Sequence, residues 1–202
     1  MLKKIGWIAL CLLGCAAFAK ERAQGTESAA APATYKFGEM EVVAIQDAPN
    51  AIPLRTFRGR DEATMRALVP DGRAPASFNV FLIRKDGLTM LVDAGNGGRR
   101  GTLLRQLKEL GVDPAGVDVV LLTHMHNDHI GGLLTEDGNA AFPNAVVRVA
   151  LPEKEYWDNQ GAPLPRKVLA ASQGRVKPFS FDETLEGGIV ARGAVGHTPG
   201  HA

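Results

Sequence analysis

The stretch Thr123-His124-Met125-His126-Asn127-Asp128-His129-Ile130-Gly131-Gly132 limits what this chain can become more than any other. Three imidazoles and a carboxylate fall within six positions, directly after the apolar run Val117-Asp118-Val119-Val120-Leu121-Leu122. That run is rich in β-branched residues and bounded upstream by Asp113-Pro114-Ala115-Gly116, which predicts a buried strand. A strand ending in His-x-His sets His124 and His126 on one side, because side chains alternate with period two. Asp128 and His129 follow at once, and Gly131-Gly132 lets the chain turn tightly into the next element. Neutral imidazole and carboxylate oxygen are ligands for zinc and similar metals. The plainer alternative is a polar loop at a strand end; four ligand-type side chains in six positions weigh against it.

The run resembles the His-x-His-x-Asp-His signature of the metallo-β-lactamase-fold hydrolases. A second piece, Gly196-His197-Thr198-Pro199-Gly200-His201, resembles the next metal-binding loop of that fold. All five histidines of the chain lie in these two stretches. The resemblance implies an α/β (α+β) fold, an αββα sandwich with metals at one edge between its sheets. It implies that His124, His126 and His197 bind a first metal and that Asp128 and His129 contribute to a second. His197 rather than His201 takes the ligand role, because the family's ligand histidine precedes Thr/Ser-x-Gly. His201 is then a neighbour lining the pocket. The expected cofactor is Zn2+, one ion or two, with other divalent metals as alternatives. Three imidazoles would leave a tetrahedral zinc one open position for water, as in catalytic sites. Such a metal lowers the pKa of its water to about 7; the hydroxide would attack a carbonyl or phosphoryl centre. Asp128 would orient it and carry a proton towards the leaving group.

Members of this family include β-lactamases, thioesterases of the glyoxalase II kind, lactonases, organophosphate hydrolases and RNA-processing nucleases. The two motifs together are similar to exported lactonase- and organophosphate-hydrolase-like members. The expected reaction is therefore hydrolysis of an ester-like bond in a small molecule, with β-lactams or thioesters as a further alternative. Nucleic acid is not an expected partner. Lys and Arg number 23 against 22 Asp and Glu, and only 6% of residues are aromatic, so no basic footprint stands out.

Residues 1–19 have the form of a signal peptide. Lys3 and Lys4 make a positive start and Ile5 to Leu13 a short apolar core, well below the roughly 20 residues that span a bilayer. Two endings compete. Ala17-Phe18-Ala19 fits an ordinary signal peptidase, whereas Leu12-Leu13-Gly14-Cys15 resembles a bacterial lipobox that would lipidate Cys15. The expectation is export, to the periplasm or to a membrane-anchored lipoprotein whose only membrane contact is the lipid. Both cysteines, Cys11 and Cys15, lie in this segment. The remainder has no thiol to form a disulfide or bind metal, which disfavours the β-lactamase subgroup with a cysteine ligand.

Residues 20–34, rich in Ala, Ser, Glu and Gln, predict a flexible tether, and a single domain is expected over 35–202. Tyr35 to Ile45 predicts two edge strands or a hairpin, broken by Asp47-Ala48-Pro49-Asn50. Arg60 to Leu68 predicts a short helix. Phe78 to Ile83 and Leu88 to Val92 flank Lys85-Asp86-Gly87, the clearest hairpin signal in the chain. The second of these strands runs into Asp93-Ala94-Gly95-Asn96-Gly97-Gly98, which resembles the family's Asp-x-Gly loop. Asp93 either accepts an N–H from a ligating imidazole or merely closes a turn. Leu103, Leu104, Leu107 and Leu110 predict a core-facing helix stopped by Gly111. Beyond the motif, Asn144 to Ala150 predicts a strand, Pro152 a helix start, Arg166 to Ser172 a helix, and Gly188 to Val195 a last strand delivering His197. Tyr156 and Trp157 line a pocket or pack beneath the sheet.

The resemblance runs from Tyr35 to Ala202 and matches the first part of the family domain. The family's later aspartate and last histidine have no counterpart, so the sandwich is expected to be incomplete in its second half. The alternative to a working hydrolase is a truncated or non-catalytic metal-binding fragment of one. Neither the substrate nor the oligomeric state is legible in these residues.

Overall fold

Strand formers dominate the first part of the domain, and in the computed structural model, which describes residues 30–202 except residues 58 and 60, they build a meander. Strands β1 (Ala33–Phe37), β2 (Met40–Pro53), β3 (Arg73–Lys85) and β4 (Leu88–Val92) pair antiparallel in chain order. Helix α1 (Glu62–Leu68) lies between β2 and β3, and the Asp61 carboxylate caps it by accepting from the Thr64 N–H. Asp86 and Gly87, both at positive φ, close the β3–β4 hairpin.

From β4 onward the sheet is parallel, through β5 (Val119–Leu121), β6 (Val146–Ala150) and β7 (Val176–Phe179). Parallel neighbours need crossovers, and these are helical. Helix α2 (Leu103–Glu109) joins β4 to β5, and the single turn α3 (Asn127–Ile130) follows β5. Helices α4 (Leu151–Gln160) and α5 (Pro163–Ala171) join β6 to β7. The seven strands lie in sequence order in one sheet. The fold is the expected mixed α/β one, and among the described residues there is no second sheet.

One sheet face is the main core. Val43, Ile45, Val80, Leu82, Leu91, Val120, Val147 and Val149 pack there against Leu103 and Leu107 of α2, Ile130 of α3 and Val168 of α5. The opposite face carries a smaller cluster, including Ile83, Met90, Val119, Leu121 and Phe179, covered by the segment around Leu185 and Ile189. Arg148, buried on β6, pairs with Glu183 at 2.6 Å and Glu186 at 3.3 Å and ties that segment down.

Three local expectations change, and one strand is added. Asp47-Ala48-Pro49-Asn50 does not end β2; the strand absorbs it with a register shift between Gln46 and Ala48 and runs on to Pro53. Gly188 to Val195 is not a strand: it makes one isolated bridge, Thr184 to Val190, and otherwise runs as a loop. β7 went unforeseen; it is short, contains Pro178 and sits at the sheet edge, where proline is tolerated. The motif strand stops at Leu121, so His124 and His126 lie in the loop beyond it. The signal segment with Cys11 and Cys15 lies outside the described residues, as does the tether up to residue 29. No helix among the described residues is long and apolar enough to cross a membrane.

Candidate metal centre

The carboxyl ends of β4, β5 and β6 lie side by side, and side chains from all three converge there, where ligands bind in open α/β sheets. β4 ends in Asp93, β5 leads to His124 and His126, and β6 leads to Glu153 at the start of α4. Two turns pack against each other to bring the first pair together. The Ala94 N–H donates to the His129 carbonyl at 2.8 Å, and the Gly132 N–H to the Gly95 carbonyl at 3.2 Å. A Cβ on Gly132 would overlap the Ala94 carbonyl oxygen, and one on Gly131 the Asn96 carbonyl oxygen. Gly131 itself has φ −59°, so these glycines supply closeness of backbones rather than the tight turn expected of them.

Asp93 sits at φ 64°, a left-handed conformation rarely adopted without glycine. Held so, its carboxylate accepts from the Thr123 N–H at 2.8 Å, the Thr123 hydroxyl at 2.8 Å and His129 Nδ1 at 2.7 Å. His124 Nδ1 lies 3.0 Å from the same hydroxyl. Thr123 gives its proton to Asp93, so its oxygen accepts from His124 Nδ1–H. This chain fixes both tautomers, leaving Nε2 of His124 and Nε2 of His129 as lone pairs. Asp93 thus meets the His129 imidazole directly and the His124 imidazole through Thr123, and does more than close a turn.

Ligand-type nitrogens of His124, His126 and His197 all lie within 4.8 Å of one another. His126 Nδ1 is 3.0 Å from His197 Nε2. His124 Nε2 is buried and, among the described residues, has no hydrogen-bond partner. Burial, then the neighbouring imidazoles, push the pKa of His124 down to about 3. His126 is lowered too, by burial first and by His197 next. His129 also loses solvation on burial, but the hydrogen bond and charge of Asp93, with Asp128, outweigh this and raise it. Neutral, converging imidazoles with an unpartnered buried nitrogen are the donor set a divalent metal takes.

Asp128 Oδ2 lies 3.7 Å from His129 Nε2, so the two residues read as ligands of a second ion are adjacent. His201 stands outside the three-histidine cluster: its Nδ1 donates to the Ala194 carbonyl at 3.1 Å, and its ring centre is 4.9 Å from that of His124. Trp157 takes both roles proposed for it, packing against the core while its ring meets His126 edge-on at 5.5 Å. Tyr156, exposed, meets the Trp157 ring edge-on at 5.3 Å.

Two buried carboxylates escaped the sequence. Asp47 accepts from the N–H groups of Asn96, Thr102 and Leu103 and so closes the loop beyond Asp93. Glu153 touches both histidine loops. Neither had a motif to mark it.

Imidazoles converging at the ends of parallel strands, with a carboxylate beside them, make a centre able to hold a divalent metal. Residues 75–202 match the sequence profile of the Metallo-beta-lactamase superfamily, and the chain belongs to that superfamily. It is similar over 87% of its length, with a TM-score of 0.75 and 27% identity, to the crystal structure of hydrolase AbOPH in the beta lactamase superfamily, 69% of which it covers. It is similar over 84% of its length, with a TM-score of 0.75 and 26% identity, to AidC, a dizinc quorum-quenching lactonase in complex with a product, 68% of which it covers. A Ribonuclease Z of Mycolicibacterium gilvum is 32% identical over 114 residues, which are 56% of this chain and 35% of that protein. The chain spans roughly a fifth to two fifths of the length of the curated relatives it matches.

Proposed function

We propose that the chain carries the centre of a zinc-dependent hydrolase acting on an ester-like bond of a small molecule, of the lactone or organophosphate class. The observation that carries this is the convergence of His124, His126 and His197 around a buried, unpartnered Nε2. His124, His126 and His197 would hold one ion; Asp128 and His129 would contribute to a second. Zinc bound there supplies an acidified water, pKa about 7, and a Lewis acid for the bond under attack. Asp93 and Thr123 keep the proton on Nδ1 of His124, so that the other nitrogen stays available. The Asp128 carboxylate, partly exposed and making no hydrogen bond among the described residues, can take a proton from the attacking water and return it to the leaving group.

The cleft has room for a small substrate. A cavity of about 780 Å³ on one side of Asp128 is lined by Arg73, Phe78, Asn96 and Arg100; one of about 480 Å³ on the other runs past His126, Trp157 and Pro163. Asn127, Asp128 and Leu164 border both. The substrate's polar end fits the first lobe and its apolar end the second. That the AidC structure holds a product of lactone opening and that AbOPH is a hydrolase supports the choice of class.

The test is zinc content by elemental analysis, with hydrolysis of a lactone, a phosphotriester, a β-lactam, a thioester and a structured RNA by the full chain. Turnover of the first two, abolished by His124→Ala, is the expected result. Zinc-loaded protein that cleaves only RNA would replace this proposal with a nuclease. Export belongs to the same proposal and rests on Lys3-Lys4 and the apolar run after them. Mass spectrometry of native protein should find a mature chain beginning at Lys20 or at lipidated Cys15, and an intact Met1 would overturn it.

A further inference from the structure

We propose that Glu153 is a positioning residue of the centre, a single buried carboxylate that sets the distance between the two histidine loops. The inference rests on the metal-binding proposal and deepens it. Glu153 is 0% exposed although it lies in the first turn of α4. A carboxylate offers about four acceptor sites, and four donors meet it. Oε1 accepts from the Met125 N–H at 2.9 Å and Trp157 Nε1 at 2.7 Å. Oε2 accepts from the Thr198 hydroxyl at 2.6 Å and the Gly200 N–H at 3.0 Å.

The donors are placed where they matter. Met125 separates His124 from His126, and Thr198 follows His197. One oxygen therefore serves each loop, and the width of one carboxylate spaces the imidazoles of His126 and His197. Backbone packing agrees: a Cβ on Gly200 would overlap the Glu153 backbone nitrogen, so the second loop lies directly on the first turn of α4. An acid in a helix's first turn gains from the helix dipole on the surface too. Burial costs a carboxylate several kcal/mol unless its acceptors are filled, and here no basic side chain forms a salt bridge with it among the described residues. Such a placement answers the need of the loops, not of the helix.

The chemistry separates glutamate from its amide. Glutamine would keep one acceptor oxygen and turn an NH2 towards the other pair. The Thr198 hydroxyl can rotate to accept that N–H, but the indole and the two backbone N–H groups cannot. The favoured arrangement therefore keeps Met125 and Trp157 bonded and releases Gly200. Glu153→Gln should loosen His197 selectively.

The test uses the full chain with cobalt(II) and zinc as probes. Zinc affinity is measured by competition with a chromophoric chelator, and coordination by the visible spectrum at saturating cobalt. Glu153→Gln should lose about 10–100-fold in affinity, the range for outer partners of metal ligands. Its cobalt spectrum should move towards that of His197→Ala. Thr198→Val, which removes one donor and leaves Glu153 intact, should move both readouts less and in the same direction. If Glu153→Gln fails to fold, that variant decides. An unchanged cobalt spectrum at saturation in the folded variants would overturn the proposal, because a merely structural loss would weaken the fold without altering the ligand geometry. Wild-type chain that binds neither metal would instead remove the metal-binding proposal and this one with it.

Discussion

His124, in the loop after β5, is 2% exposed, whereas His197, in the loop that ends at His201, is exposed. The first loop is built into the protein. Its glycines press against the turn after β4, where no side chain would fit, and Asp93 grips Thr123 and His129 from a strained backbone position. The second loop is hung rather than built in. Apart from the contact of His197 with His126, it is held to the centre by the Thr198 and Gly200 bonds to Glu153 and by the Ala202 N–H, which donates to the Thr123 carbonyl at 3.0 Å. The difference teaches where the centre is preorganised: packing fixes the first half, and a few hydrogen bonds fix the second. Loops held by few buried apolar contacts open at lower free energy than packed ones.

The largest effect should come from breaking the rigid half. His124→Ala removes the most buried of the three imidazoles, and no neighbouring histidine can be moved into its place because the surrounding backbone is close-packed. Zinc affinity should fall by more than the ~10–100-fold that accompanies loss of an outer partner. His197→Ala should cost less, since water reaches the exposed position and replaces the ligand. Chelator competition on both variants checks the order; equal losses would mean that the two loops are equally preorganised.

Asp93→Asn comes next. The amide keeps one acceptor oxygen: at the Oδ2 position it still serves the Thr123 hydroxyl and His129 but turns its NH2 on the Thr123 N–H, and at the Oδ1 position it serves that N–H but turns its NH2 on His129, so either the loop's backbone anchor or the His129 partner is lost. A loss of about 10–100-fold in metal affinity is expected, concentrated on the second ion if His129 is the one released. Stoichiometry by titration distinguishes the outcomes: one tight ion retained, rather than none, places the damage at His129.

How much of this was legible depends on whether a residue's role is local in sequence. His124, His126, Asp128 and His129 stand in one short run whose spacing marks it, and His197 stands in a second run marked by its resemblance to the family's next metal-binding loop. Asp93, at the end of a predicted strand, was visible through the resemblance of Asp93-Ala94-Gly95 to the family's Asp-x-Gly loop. Glu153 was not: in Pro152-Glu153-Lys154-Glu155 it looks like any acid at a helix start, and only the third dimension brings Met125 and Thr198 to it, 28 and 45 residues away. Asp47 was misread as a strand breaker for the same reason, since the N–H groups it satisfies lie 49 to 56 residues on. Gly188 to Val195 failed in the other direction. It was read as the strand that delivers His197, but a strand exists only where a partner supplies hydrogen bonds, and Val190 finds just one bridge.

A moderate effect should appear in the pH dependence of the metal-free protein. His124 titrates near 3 when folded, against about 6.5 when unfolded. Between those values the unfolded chain binds more protons, so stability is fully present above about pH 6.5 and is lost as pH falls towards 3. His126, also lowered, acts in the same direction. His129, raised by Asp93, acts oppositely: its contribution is present below the unfolded pKa and is lost as pH rises through its folded value. Urea midpoints at pH 7.5 and pH 5 should therefore fall on acidification in the wild type. The fall should be smaller in His124→Asn and steeper in Asp93→Asn, which deletes the opposing contribution.

The smallest effect is expected at His201, and it sharpens the contrast most. His201 sits in the second loop with its ring centre 5.7 Å from that of His197, close enough to be mistaken for a ligand. Its Nδ1 is engaged with the Ala194 carbonyl, and the Ala194 N–H donates back to the His201 carbonyl at 2.7 Å, closing a small ring of bonds that does not involve the cluster. Replacing it by alanine removes only the side-chain half of that ring and leaves the backbone half, the Glu153 bonds and the Ala202 anchor intact. Metal content and affinity should stay within about two- to threefold of the wild type, on the order of one exposed hydrogen bond. Loss of zinc in His201→Ala with retention in His197→Ala would show that the loop rotates on binding and that its exposed half chooses its ligand only when the metal arrives.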